Sequence, residues 1–386
     1  KQSQKIEFKN GKGELGITNQ GLNHWGLNLV KNKLYEGCVW VKAEKLTNVY
    51  LSLENADGTK IYAEKSFEVN TGNWQKLKFN IKPNDNDPKG RFSIKLKSPG
   101  SITVGYAFLQ PGKWGRFKGL PVRKDIAEGL INQGVTVLRY GGAMVNSDQY
   151  RWKKMIGPRD KRPPYTGSFY LYSSNGWGII DFINFCETAG FLGIPAFDMG
   201  ESPQDMVDFI DYVNGPAESK WGRKRVEDGH PKPYRLRYIQ LGNEEAINDK
   251  YWQRFRLLAE AIWAKDPNII LVVGDYSPDL SYKMPLTEYK KILDLAAEHN
   301  REVWFDLHLG TETPDNIDEQ VALIPSFFEG LKKVSPDAKF KVVIFEFNAY
   351  THNFRRALGN AHCINELERI GNDVLIACSA NALQPD

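Results

Sequence analysis

Cysteine is scarce in this chain. Cys38, Cys186, Cys363 and Cys378 are spread over 386 residues, with no CxxC pair and no Cys/His ligand spacing. That excludes a disulfide scaffold and predicts four buried thiols. The six histidines include no HExxH, and no GxGxxG follows a strand-like run, so neither a zinc-protease helix nor a dinucleotide-binding turn is expected. No metal or other cofactor is predicted. No run of 18 apolar residues exists, so no helix is expected to span a membrane. An excess of one charge is also lacking. Lys and Arg number 51 against 47 Asp and Glu, a net +4, and they are interspersed without a basic block. Support for a nucleic-acid partner is therefore weak, and none is expected. The opening Lys1-Gln2-Ser3-Gln4-Lys5 is not a signal peptide, which fits a removed signal or a start inside a longer precursor.

Aromatic residues are plentiful, at 12% with 10 Trp and 17 Tyr. Part of that belongs in a core. The rest suits carbohydrate, because an aromatic face packs on the C–H face of a sugar while its polar edge stays wet. Otherwise the composition is that of an ordinary globular chain, long enough for two or three domains.

Two textures divide it. Residues 1–111 read as all-β: runs at 33–42, 48–53, 74–81, 91–96 and 102–108 are β-branched and aromatic. Turn signals separate them, such as Asn55-Ala56-Asp57-Gly58 and Asn84-Asp85-Asn86-Asp87-Pro88, as in an antiparallel sandwich. Residues 112–386 alternate apolar strands, starting near 135, 194, 237, 269, 303, 342 and 374, with amphipathic helices such as 178–190, 203–214 and 251–265. That alternation predicts a parallel sheet covered on both faces, and at this length a (β/α)8 TIM barrel. Seven strands are visible where a barrel needs eight. A helix-like stretch at 122–132 precedes the first of them.

Catalytic groups of such barrels sit at the C-terminal strand tips. The third visible strand ends Gly242-Asn243-Glu244-Glu245, and the sixth carries Glu346 in Phe345-Glu346-Phe347-Asn348. A carboxylate on an apolar strand is costly unless paired or used. Arg139, before Tyr140-Gly141-Gly142, is the rim cation for such a pairing. His308 ends a further strand, and Trp177 and Tyr350 are candidate sugar platforms. Two carboxylates facing each other across a barrel mouth are the apparatus of glycoside hydrolysis.

Leu138-Arg139-Tyr140-Gly141-Gly142, Tyr238 through Glu244 with its Gly-Asn-Glu, and Phe345-Glu346 together resemble the clan-A retaining glycosidases. They are most similar to family 51, the α-L-arabinofuranosidases, with family 39 a neighbour. The likeness runs from about residue 100 to the end. It implies that Glu244 is the acid/base, Glu346 the nucleophile, Asn243 the residue on the substrate 2-hydroxyl and Arg139 the arginine beneath the site, with His308 matching a strand-six histidine. It also makes Glu244 and Glu346 the tips of strands four and seven. Strand one would then lie upstream of Lys1, with 1–111 a carbohydrate-binding-module-like sandwich inserted after it. The family's Arg-Tyr-Pro-Gly-Gly-Asn is altered here: the Pro is absent and Ala143 replaces the Asn. The loop 152–165 is long enough to build a different subsite.

The expectation is a secreted, retaining glycoside hydrolase acting on arabinosyl linkages of plant cell-wall polysaccharide. An endo-β-1,4-glucanase or xylanase with the same two-glutamate chemistry is the first alternative. A non-catalytic carbohydrate-binding protein is the alternative of another class.

Overall fold

A computed structural model describes residues 3–70, 72–167, 173–275, 285–349 and 351–380. It divides into two compact units, Lys1–Gly129 and Leu130–Asp386, with the division inside helix α1 (Lys124–Asn132).

The first unit is an antiparallel sandwich of nine strands among the described residues. One sheet has the order β1 (Gln4–Phe8), β9 (Gly100–Pro111), β4 (Tyr35–Lys42), β7 (Gln75–Ile81). The other runs β2 (Leu15–Asn19), β8 (Asp87–Leu96), β5 (Thr47–Glu54), β6 (Ile61–Val69), and β3 (Leu27–Leu29) also pairs with β8. Alternation fixes the register. Val39 and Val41 from one sheet meet Val49, Leu51, Leu53, Phe92 and Ile94 from the other in a closed core. The Asn55–Gly58 signal makes the β5–β6 turn, where Gly58 adopts φ +81 and donates to the Asn55 carbonyl.

The outer face of the second sheet is polar yet covered. Glu54 and Lys95 are buried there and pair at 2.6 Å. Arg91 and the Ser93 hydroxyl also reach Glu54, at 2.9 and 2.8 Å. Glu14 accepts from Lys95 and Lys97.

The second unit carries seven parallel strands in chain order: β10 (Val137–Tyr140), β11 (Leu192–Phe197), β12 (Tyr238–Glu245), β13 (Ile270–Asp275), β14 (Glu302–Gly310), β15 (Lys339–Asn348) and β16 (Val374–Ser379). The edge strands β10 and β16 approach one another, so the barrel is nearly closed. Helices α2 (Ile179–Ala189), α3 (Pro203–Asn214), α4 (Lys220–Glu227), α5 (Asp249–Lys265), α6 (Thr287–Glu298), α7 (Pro314–Val334) and α8 (Phe354–Ile370) lie between strands. Their starts are written in the sequence. The Ser202, Asn248 and Thr313 side chains accept from backbone N–H groups of the first turn, and Pro203 and Pro314 occupy first-turn positions that need no donor.

Three cysteines are buried as predicted, and Cys378 is half-buried on β16. Burial pushes the Cys186 and Cys378 thiols up to about 12 and Cys363 to about 11. No helix among the described residues is long and apolar enough to cross a membrane.

Candidate active site

Period-two alternation carries a small apolar core and the polar site on the same inward faces. Ile194, Val272, Trp304, Val343 and Phe345 form the buried cluster, with Val137 and Tyr238 packed on it. Two residues further along β10, β12 and β14, the same faces present Arg139, Gln240 and Asp306. His308 follows two residues later still.

These groups converge. The Arg139 guanidinium forks three ways: Nε donates to Gln240 Oε1 at 2.7 Å, Nη1 to Glu346 Oε1 at 2.6 Å, and Nη2 to Asn243 Oδ1. Gln240 Nε2 donates to Asp306 Oδ2 at 2.7 Å. His308 spans Glu244 Oε1 at 3.0 Å through Nδ1 and Asp306 Oδ2 at 3.1 Å through Nε2. Glu346 Oε2 lies 3.9 Å from Nδ1. One oxygen of Glu244, one of Glu346 and a nitrogen of His308 all lie within 4.8 Å of one another.

Backbone strain aims the tips. Gly242 takes φ +84, and Glu244 itself φ +50, inside an irregularity of the β12–β13 ladder between Leu241 and Glu245. Left-handed backbone at a glutamate is costly and concentrates at functional positions. The Tyr251 hydroxyl clamps the kink, donating to the Leu241 carbonyl at 2.8 Å. Gly141 and Gly142 also adopt positive φ, and a Cβ on Gly142 would stand 3.8 Å from Glu346 Oε1.

Burial opposes charge on His308, but Asp306, Glu244 and Glu346 outweigh it and push its pKa up to about 10. Glu244 is held below its ordinary range, first by the hydrogen bond from His308 and against partial burial. Both shifts favour the charged forms, an imidazolium facing a carboxylate.

Glu244, His308 and Glu346 also form a donor set of the size a cation would need, as do Asp318, His362 and Glu366 on α7 and α8. In the first set, His308 already bridges Glu244 and Asp306, and Arg139 already pairs with Glu346. In the second, Arg369 is paired to Glu366. Neither donor set is electrostatically arranged for a divalent ion.

Five of the sequence-selected residues thus meet: Arg139, Asn243, Glu244, His308 and Glu346. Trp177 does not join them. It precedes α2 half-buried, its ring edge-on to Phe185 at 6.5 Å, as core packing. Tyr350 lies outside the described residues. Sequence reading passed over Gln240, Asp306 and Asn146, whose Nδ2 donates to the Asn243 carbonyl at 2.8 Å. A signal existed for two of them, since Gln240 and Asp306 are polar residues inside apolar strands and had to be paired.

The loop 152–165 folds down onto the helices. Trp152 is buried against Phe209, Tyr212 and Trp221, its Nε1 donating to the Asp205 carbonyl. Its backbone N–H reaches Glu201, a carboxyl that burial pushes up to about 7. Arg159 and Arg162 both pair with Asp181.

A nearly closed parallel barrel with two glutamates that converge from the tips of β12 and β15, preceded in the chain by a β-sandwich, defines a class: the (β/α)8 glycosidase fold with a carbohydrate-binding-type module. Comparison with known proteins gives what the chain is similar to. Residues 132–320 match the family model described as alpha-L-arabinofuranosidase 1 domain, and residues 4–101 match a carbohydrate binding domain. An extracellular exo-alpha-L-arabinofuranosidase of Streptomyces chartreusis is 26% identical over 95% of this chain and 46% of its own length. Alpha-L-arabinofuranosidase 1 of Arabidopsis thaliana is 26% identical over 67% of this chain and 41% of its own. The chain spans about half the length of the curated relatives it matches. An arabinose-bound family 51 α-L-arabinofuranosidase structure overlays all of this chain and 66% of its own at TM-score 0.77 and 21% identity. The arabinose complex of the Thermotoga maritima α-L-arabinofuranosidase covers 67% of this chain and 58% of its own at TM-score 0.57 and 21% identity. The chain resembles the family 51 α-L-arabinofuranosidases of clan A.

Proposed function

We propose that this protein hydrolyses α-L-arabinofuranosyl linkages of plant cell-wall polysaccharide with retention of configuration. One observation carries the reading: carboxylate oxygens of Glu244 and Glu346 lie within 4.8 Å of each other. Retaining glycosidases set their two carboxyls about 5–5.5 Å apart, whereas inverting ones leave roughly 6.5–9.5 Å for a water. The matches to arabinofuranosidases favour the arabinosyl linkage over glucan or xylan. The relative named as extracellular supports an extracellular address.

Glu346, with Oε1 held by Arg139, attacks the anomeric carbon through its other oxygen while Glu244 protonates the departing oxygen. Glu244 then takes a proton from water, and that water breaks the glycosyl-enzyme bond. Arg139 aims the nucleophile. Asn243, buried and tied to the same guanidinium, is the residue for the sugar 2-hydroxyl.

The test is hydrolysis of nitrophenyl α-L-arabinofuranoside, arabinan, arabinogalactan and β-glucan by the protein, by Glu346→Ala and by Glu244→Ala. Arabinose release lost in both variants supports the reading. Cleavage of glucan alone replaces it with a glucanase, and glycan binding without turnover replaces it with a binding protein.

A second role for the sandwich has its own observation. Trp74 is 41% exposed and lies over Gly105, where a Cβ would stand 2.8 Å from its ring. Lys42 sits 5.4 Å from the ring centre, and Trp40 pairs across strands with Tyr106 on the same outer face. That face suits stacking on a glycan. Trp74→Ala is expected to weaken retention on arabinan in affinity electrophoresis while leaving nitrophenyl arabinofuranoside turnover unchanged.

A further inference from the structure

Asp306 touches neither glutamate, yet hydrogen-bonded chains lead from it to both. It is wholly buried. Its Oδ1 accepts the Phe345 N–H at 2.9 Å, next in chain to Glu346. Its Oδ2 faces both Gln240 Nε2 and His308 Nε2. From Gln240 the chain continues through Arg139 to Glu346, and from His308 it continues to Glu244.

The charge around His308 is lopsided. Asp306 of β14, Glu244 of β12 and Glu346 of β15 all face the ring. The cation nearest these carboxylates, Arg139 of β10, is spent on Glu346, Gln240 and Asn243. Cys378 of β16 and Tyr251 of α5 sense Asp306, and burial keeps both neutral. With a carboxylate on each side, both ring nitrogens are donors. A buried carboxylate behind the distal nitrogen fixes ring orientation and favours the cation.

We propose that Asp306 is a positioning residue that holds His308 doubly protonated, so that the imidazolium stores the proton Glu244 delivers as the acid. This rests on the reading of Glu244 and Glu346 given above. The step balances. A proton leaves His308 Nδ1 for Glu244 and passes from Glu244 to the departing glycosidic oxygen. The bond from the anomeric carbon to that oxygen breaks as one forms to Glu346. His308 is left neutral. When water attacks the glycosyl-enzyme, its proton goes to Glu244 and on to Nδ1, restoring the resting pair.

Asp306→Asn leaves shape but removes charge, and offers one acceptor where three N–H groups now converge. Nitrogen-15 spectra of the histidine rings in the full chain read the outcome directly. His308 Nδ1 and Nε2, assigned by their loss in His308→Asn, are expected to show the imidazolium pattern at pH 7. In Asp306→Asn the midpoint should fall by about two pH units or more. Kinetics give the second arm. The variant should lose roughly 10²-fold on a methyl arabinofuranoside, whose departure needs a proton, and under about 10-fold on a dinitrophenyl one, whose departure does not.

A neutral His308 ring in the unmodified protein overturns the proposal even if the variant does not fold. So does an unchanged titration in Asp306→Asn, or an equal loss on both substrates. Absence of any arabinofuranoside turnover in the unmodified protein overturns the functional reading instead, and the ring spectra still decide the role of Asp306.

Discussion

At the scale of the residue, the site depends on a fork. Arg139 satisfies three acceptors on two strands, Gln240 and Asn243 of β12 and Glu346 of β15, with one planar group. A lysine carries the same charge but presents it at a point, so it cannot meet all three in their present places. Losing a charge-assisted hydrogen bond costs about 1.5–3 kcal/mol. Arg139→Lys is thus expected to lower kcat/KM on nitrophenyl arabinofuranoside by roughly 10- to 100-fold, with circular dichroism unchanged. A variant of full activity would show that Glu346 needs no such aim. The residue scale is also where the sequence was most legible. Glu244 and Glu346 interrupt apolar strands, and each neighbours a second polar group, so they announce themselves. Asp306 and Gln240 do too, but one buried polar side chain gives no sign of its partner until strands 60 or more residues apart are laid side by side.

At the scale of the element, the strands of the barrel were legible because both faces are covered and their sequences are continuously apolar. The sandwich was half-read. Strands β1, β2, β3 and β6 escaped because their outward positions carry Lys, Glu, Asn and Thr, which dilute the pattern. Helix α4, Lys-Trp-Gly-Arg-Lys-Arg-Val-Glu, is too polar to show a face, although Arg225 within it is buried on carbonyls of Tyr212 and Gly215. What no pattern could show is the kink of β12. Its packing yields a prediction. A Cβ on Gly274 of β13 would stand 2.4 Å from the Gly242 carbonyl carbon and oxygen. Backbone cannot rotate aside as a side-chain end can, so Gly274→Ala must move the tip that aims Glu244. A misplacement near 1 Å can cost about 10²-fold in rate. The expected result is a loss of that order in kcat with little change in KM. Full activity in a folded Gly274→Ala protein would mean that the kink is not what places Glu244.

At the scale of the molecule, the two units place their buried charges differently, and pH should separate them. In the sandwich, burial of Glu54 is outweighed by Lys95, Ser93 and Arg91, and its carboxyl stays below the usual 4.5. Its stabilisation is present above that value and lost as pH falls through the lower folded one. The raised Lys95 and Lys97 lose theirs only above 10.5. The sandwich should therefore hold steady through neutral and mildly alkaline pH. His308 has the opposite sign: its stabilisation is complete below 6.5 and lost progressively as pH rises towards about 10. Glu201, raised to about 7, contributes little slope above that point, and the raised thiols, whose unfolded counterparts titrate around 9, contribute little below 8. From pH 7 to 8 the folded barrel then binds about one proton more than the unfolded chain. The linkage slope for one proton is about 1.4 kcal/mol per pH unit. Native-state hydrogen exchange, corrected for the intrinsic rate, should show protection of β12 and β14 falling at about that slope over this window. Strands β5 and β8 should stay flat, and Asp306→Asn should flatten the barrel strands as well. Equal slopes in both units, or a slope that survives Asp306→Asn, would assign the pH sensitivity to something other than the imidazolium between Asp306 and Glu244.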